Sequence, residues 1–217
     1  MNVVIIGASG HGKVVRDILQ LDLSVKIAGF IDDDKNSHNT LIDGIPVLGD
    51  IDSLKPFISE YQLEAAVIAI GDNRTRAILS VDLKNLGLKR KNAIHPDALI
   101  AKDVSIGEGV VIAAGVVINP ATRIGDYAII NTGVILEYGS VVEDYAHISP
   151  GVAVGGLVTV NKYAHVGIGV TINDNLTIGE NVTVGAGAVV VTDIPDNTIA
   201  IGVPARVVRH KELAEGV

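Results

Sequence analysis

The 217 residues carry a formal charge of −8, no cysteine, no Trp, two Phe and five Tyr. The missing cysteines exclude a disulfide framework and any thiolate nucleophile or metal site, and the acidic balance argues against a broad nucleic-acid-binding face, which needs clustered Lys and Arg. There is no apolar run of about 18 residues, and MNVVIIGASGHGK reads as a first strand rather than a signal peptide, so the expectation is a cytoplasmic protein without membrane insertion.

Residues 1–93 alternate strand and helix patterns. VVII (3–6) reads as a short buried strand and GASGHG (7–12) as a glycine-rich turn. KVVRDILQL (13–21) follows as a helix with Val14, Ile18 and Leu21 on its apolar face. KIAGFIDDD (26–34) is a second strand ending in acids, and LIDGIPVLGDIDSL carries turns and a helix start near Asp52. AAVIAIGDN (65–73) is a third strand, and RTRAILSVDLKNLG (74–87) a helix closed by Gly87. This order implies a small parallel sheet flanked by helices. A glycine turn that opens a helix offers backbone N–H groups to a phosphate. Asp32 and Asp33 stand about one βαβ step later, where a ribose or base is read. The spacing here is GxxGxG, and 93 residues leave no second half for a full dinucleotide site.

From Ile94 the chain falls into 17 uninterrupted hexads, from IHPDAL to VVTDIP. Their first position is always Ile, Leu or Val, and the fifth is mostly Val or Ala. The fourth is Gly, Asn or Asp in 12 of the 17, residues that tolerate a left-handed corner. Pro96, Pro120 and Pro150 all fall at the third position, where no ladder N–H is needed. Such a repeat is the mark of a parallel β-helix, with three hexads to a coil and residues 18 apart stacked at about 4.8 Å. Five to six coils follow. Tyr127, Tyr145 and Tyr163 form one column, His147 and His165 another, and Asn119, Glu137, Gly155 and Asn173 a third. The domains are then 1–93, 94–200 and a C-terminal segment 201–217, of which RHKELAEGV is expected to fray.

GASGHGKVV, FIDDD and AIGDNRTR, the hexads, and IGVPARVV (201–208) together resemble a family of sugar acetyltransferases. These join a small nucleotide-binding domain to a left-handed β-helix. The family contains N-acetyltransferases of the bacillosamine and perosamine kind, and proteins assigned to sialic acid O-acetylation. The resemblance covers nearly the whole chain. It implies an α/β Rossmann-like domain followed by a left-handed β-helix, and a homotrimer with its sites at the seams. It also implies acetyl-CoA as co-substrate without a metal, and a nucleotide-linked amino sugar, UDP-linked by preference, in surface-glycan or sugar biosynthesis. By position, Gly7, Ser9, Gly10, His11 and Gly12 match the family's phosphate turn. Asp32 and Asp33 match its nucleotide-reading acids, and Gly71, Asn73 and Arg74 its third-strand contact. His147 matches a histidine lining the acetyl-CoA site, and Gly156, Gly167, Ile168 and Gly185 match positions along the pantetheine arm. Pro204 and Arg206 match positions near the CoA phosphates.

One stretch departs from the family. Where it shows INTGxxxEHDC, this chain reads INTGVILEYGS (130–140), so the base histidine falls on Tyr138 and the acid after it on Gly139. A phenol is a poor general base at neutral pH. Three readings stand open: an active enzyme using Glu137, His147 through water, or no base; a protein that binds both ligands without turnover; or a substitution that traps a complex. An amine needs less help than a hydroxyl, so N-acetylation is preferred to O-acetylation.

Overall fold

The computed structural model describes residues 1–212 and divides the chain into two compact units, residues 1–96 and from Asp97 onward. In the first unit, β1 (Asn2–Ile6) leads into α1 (Gly10–Gln20) and β2 (Lys26–Ile31). A short hairpin, β3 (Leu41–Ile42) and β4 (Ile45–Gly49), precedes α2 (Leu54–Glu60). Then come β5 (Ala65–Ile68), α3 (Asn73–Asn85) and β6 (Lys89–Arg90). The sheet order is β3-β4-β2-β1-β5-β6, parallel except for the β3–β4 hairpin. Val3, Val4, Ile5, Ala65 and Val67 are fully buried at its centre. Burial on both faces is what turns VVII and AAVI into continuous apolar runs rather than alternating ones.

Two boundaries differ from the sequence reading. The helix α1 begins at Gly10, inside the glycine turn, and its buried face is Gly12, Val15, Ile18 and Leu19. Val14 and Leu21 are exposed. Gly12 explains the early start: a Cβ there would lie 2.2 Å from the Gly7 carbonyl oxygen, so only glycine lets α1 approach the end of β1 so closely. The second and third strands end at Ile31 and Ile68, before the polar residues that follow them, which are left to line a cleft.

The second unit is a parallel β-helix. Each two-residue strand takes the sixth position of one hexad and the first of the next. Val111–Ile112 pairs with Ile129–Ile130, then with His147–Ile148, His165–Val166 and Thr183–Val184, always 18 residues on. A second sheet runs through Leu99, Val117, Ile135, Ala153, Thr171 and Val189. A third runs through Ser105, Arg123, Val141, Thr159 and Thr177. First- and fifth-position residues fill the interior: Val110, Ile112, Ala128, Ile130, Ala146, Ile148, Ala164 and Val166 are all without solvent contact. Each buried Val or Ile contributes about 1.5–3 kcal/mol.

Every fourth position from Gly109 to Gly187 is left-handed, with φ between 54° and 70°. The three tyrosines of the column adopt it too, at 56°, 59° and 59°. Their rings stack with centroids 5.4 Å apart, and that contact offsets the strain a non-glycine residue meets there. The final hexad is a correction. Thr183 pairs with Ile199 and Ile178 bridges Ile194, each 16 residues on, so the last coil is two residues short. The chain then turns back as an antiparallel hairpin, Thr198–Ile201 against Arg206–His210. Arg209 and His210 are therefore strand residues rather than a frayed end. The rest of that expectation, over 213–217, lies outside the described residues.

Candidate functional site

In the first unit the carboxyl ends of β1, β2 and β5 open onto a cleft of about 130 Å³. Gly7, Asp32, Asp33, Ile51, Ile70, Thr75 and Leu79 line it. The turn before α1 is fixed by its own backbone: Gly7 N donates to the Ile31 carbonyl at 2.7 Å. Ala8 N donates to Asp32 Oδ2 at 2.7 Å, and Asp34 N to Asp32 Oδ1 at 2.9 Å. Asp32, expected to read the nucleotide, thus braces the glycine turn with one carboxylate oxygen and its own loop after β2 with the other. Asp33 is exposed at the cleft and accepts a long bond from Ile51 N, 3.4 Å. Ser9 caps α1 without a side-chain bond, so the cap side chain takes up none of the first-turn N–H groups that a helix start leaves without intrahelical partners.

The start of α3 holds a residue that motif matching misses. Arg76 is 1% exposed. Its guanidinium donates to the carbonyls of Ile70 and Gly71 at 3.0 and 3.2 Å, and to Asn73 Oδ1 at 2.9 Å. Asn73, read from the sequence as a substrate contact, is buried with its carbonyl turned to Arg76, while Arg74 is half-exposed. Asp72 caps α3 by accepting from Thr75 N and Oγ1, both at 2.8 Å. Burial works to raise the Asp72 carboxyl, but the two Thr75 bonds and the Arg76 charge outweigh it and hold it below its ordinary value. His11 is lowered to about 4, first by burial and then by the Arg76 charge, and its Nε2 is buried with no partner among the described residues. It is therefore a neutral imidazole at pH 7, able to donate or accept a hydrogen bond without adding charge.

In the second unit the candidates fall on two corners and one face of the prism. Tyr138 stands at the corner between the strands Ile135–Leu136 and Val141–Val142, 55% exposed, with Gly139 left-handed beside it at φ 65°. Gly156 lies at the same corner one coil on, and Glu137 is half-buried next to Tyr138. His147 lies on the sheet that also holds Ile129 and His165, stacked on His165 with ring centroids 4.8 Å apart. His165 Nε2 in turn meets Ser149 Oγ at 3.1 Å. Within one chain, then, His147 does not share a corner with Tyr138. Gly167, Ile168 and Gly185 belong to the corner that follows the histidine strand, and Ile168 is exposed. Pro204 and Arg206 are exposed on the terminal hairpin. Among the described residues no group of three or more His, Asp or Glu could hold a metal.

Residues 2–83 match the PglD N-terminal domain, and residues 89–120 match the bacterial transferase hexapeptide repeat. The chain is similar to the solved structure of PerB from Caulobacter crescentus in complex with CoA and GDP-perosamine. The two share 40% identity over 96% of this chain and 98% of that one, with a TM-score of 0.90. This chain belongs to the perosamine and bacillosamine N-acetyltransferase family. Its β-helix is accordingly left-handed. Another member of the family with a similar fold is the acetyltransferase domain of PglB from Neisseria gonorrhoeae, solved with acetyl coenzyme A. It is 32% identical over 95% of this chain and 98% of that one, with a TM-score of 0.86. A curated relative, UDP-N-acetylbacillosamine N-acetyltransferase of Bacillus subtilis, is 36% identical over 119 residues. The match spans 52% of this chain and about half, 51%, of that protein.

Proposed function

We propose that the chain transfers the acetyl group of acetyl-CoA to the amino group of a nucleotide-linked amino sugar. The observation that carries this reading is the full-length likeness to PerB, whose structure holds CoA and GDP-perosamine. The cleft of the first unit takes the nucleotide: phosphate on the N–H groups of Gly10, His11 and Gly12, base or ribose against Asp33 and the apolar wall of Ile51, Ile70 and Leu79. UDP is the nucleotide named in the Bacillus subtilis relative and GDP the one bound by PerB, and we take UDP first.

The acetyl-CoA site needs more than one copy of the chain. Gly156 sits at the Tyr138 corner, while Gly167, Ile168 and Gly185 sit at another, with a whole prism face between them. We take one extended pantetheine arm to reach both corners where two β-helices lie side by side. That separating face also carries an outward, mostly apolar column at 18-residue steps: Leu99 (70% exposed), Val117, Ile135 (41% exposed), Ala153, Thr171 and Val189. A homotrimer covers such columns and completes each site with a neighbour. None of the helices in the described residues is long and apolar enough to cross a membrane. Both proposed co-substrates are cytoplasmic metabolites, and we place the protein there.

The reading is tested by the product. Incubation with acetyl-CoA and a UDP- or GDP-linked 4-amino sugar should yield a sugar nucleotide heavier by one acetyl group and resistant to hydroxylamine, as an amide is. A hydroxylamine-labile ester would move the chain to O-acetylation. No acetylated product with either nucleotide would refute the reading.

A further inference from the structure

Among the described residues of one chain the corner at Tyr138 has no imidazole, and its geometry bears on how the amine loses its proton; the inference rests on the acetyltransferase reading above. The Tyr138 ring lies across Gly156: a Cβ on Gly156 would stand 2.7 Å from Cζ, 2.9 Å from Cε1 and 3.1 Å from Oη. Leu157 N donates to the Tyr138 carbonyl at 2.9 Å, and the exposed Leu157 side chain lies over Gly139, whose Cβ would meet Leu157 Cδ2 at 2.6 Å. Both exposed side chains lie over glycines one coil apart, Tyr138 over Gly156 and Leu157 over Gly139. The charged groups at this corner are Lys102 and Asp103, two coils before Tyr138, and the carboxylates of Glu137 and Asp174. Asp174 Oδ1 accepts from Gly156 N at 2.7 Å, and Glu137 is the neighbour of Tyr138 in sequence. The preceding coil contributes the Pro120 carbonyl, bonded to Gly139 N at 2.9 Å.

We propose that Tyr138 is a specificity-determining residue: with Leu157 it walls an acceptor site that takes the sugar amine already neutral, so that no side chain at this corner removes a proton before attack. The chemistry balances without a protein base. The amine lone pair forms the N–C bond while the carbonyl π pair moves onto oxygen. Collapse re-forms the carbonyl and breaks the C–S bond. The surplus proton on nitrogen passes to the departing thiolate, giving the amide and the CoA thiol. A hydroxyl acceptor has no such route, because its oxygen attacks well only as it is deprotonated. The apolar faces of Tyr138 and Leu157 disfavour an ammonium, whose desolvation is costly, against the opposite pull of Glu137, while Asp174 is engaged by Gly156 N.

The test is kcat/KM against pH, from about 5.5 to 9.5, for the chain and for Tyr138→Phe, Tyr138→His and Glu137→Gln, beside a titration of the free sugar nucleotide's amine. The proposal expects the unmodified chain to rise with unit slope to the substrate's own amine pKa. Tyr138→Phe should keep that midpoint and lose no more than about fivefold, in KM. Tyr138→His should add a lower limb near ~6.5 and gain at least about tenfold at acid pH. A midpoint a unit or more below the substrate amine's, abolished in Glu137→Gln, would overturn the proposal and make Glu137 the base. A loss of about a hundredfold in kcat for Tyr138→Phe would overturn it in favour of the phenol hydroxyl. Absence of turnover from all four proteins would instead remove the acetyltransferase reading, and this inference with it.

Discussion

Tyr138 and Gly156 are eighteen residues apart in the chain and in van der Waals contact in space, the phenol ring of one covering the backbone of the other. A side chain at 156 has to push that ring away. Gly156→Ala should therefore lower kcat/KM for the amino sugar by at least about tenfold. It should cost less than ~1 kcal/mol of stability, since Tyr138 is exposed and can rotate outward. Urea unfolding midpoints beside steady-state kinetics check both halves.

Arg76 holds the first-unit site from beneath. Its removal leaves the carbonyls of Ile70 and Gly71 and the Asn73 amide without their buried donor. Arg76→Met should destabilise the protein by about 2–4 kcal/mol and weaken nucleotide binding. Arg76→Lys should recover part of the stability but not the three-way geometry. Chemical denaturation and calorimetric titration with UDP and GDP give the numbers.

His11 makes stability depend on pH. Its folded pKa of about 4 lies below the ordinary value of 6.5, so the unfolded chain binds the proton more tightly. Above pH 6.5 both states are neutral at this site and nothing is lost. Between 6.5 and about 4 the folded state loses stability as pH falls, by up to ~3 kcal/mol in all. His11→Gln should flatten that part of the stability–pH curve, measured by urea midpoints at half-unit steps. A curve of the same slope in both proteins would assign the loss to other groups.

Asp32 ties the glycine turn to the end of β2 through Ala8 N and Asp34 N. Asp32→Ala should cost about 1–3 kcal/mol and loosen the turn, so nucleotide affinity falls even though the side chain need not touch the ligand. Asp33→Ala, at the exposed rim, should weaken binding with little effect on stability. The pair of variants, assayed by calorimetry and thermal melting, separates the brace from the reader.

The repeat was plain in the sequence because a β-helix imposes one rule on every coil: an aliphatic residue inward at position one, a residue fit for a left-handed corner at position four. Even the tyrosine column could be read from its 18-residue step. The short last coil could not, since VVTDIP satisfies the pattern and only the pairing of Thr183 with Ile199 reveals the missing two residues. In the first unit the strands were legible from their apolar runs. The face of α1 was not, because the helix begins within the glycine turn at Gly10, earlier than a glycine-rich stretch suggests. Arg76 carries a signal in the sequence. Asn73, Arg76, Ser80 and Leu83 follow helical spacing and share the buried face of α3, which puts an arginine where an apolar residue is the norm. The departures Tyr138 and Gly139 were visible as letters, but their contacts with Gly156 and Leu157 depend on stacking across coils.

The most direct measurement is free-thiol release from acetyl-CoA by the unmodified chain, offered a UDP- or GDP-linked 4-amino sugar in parallel with free sialic acid. The account predicts release that requires the amino sugar nucleotide and is absent with sialic acid. Release with sialic acid and none with either amino sugar would contradict it.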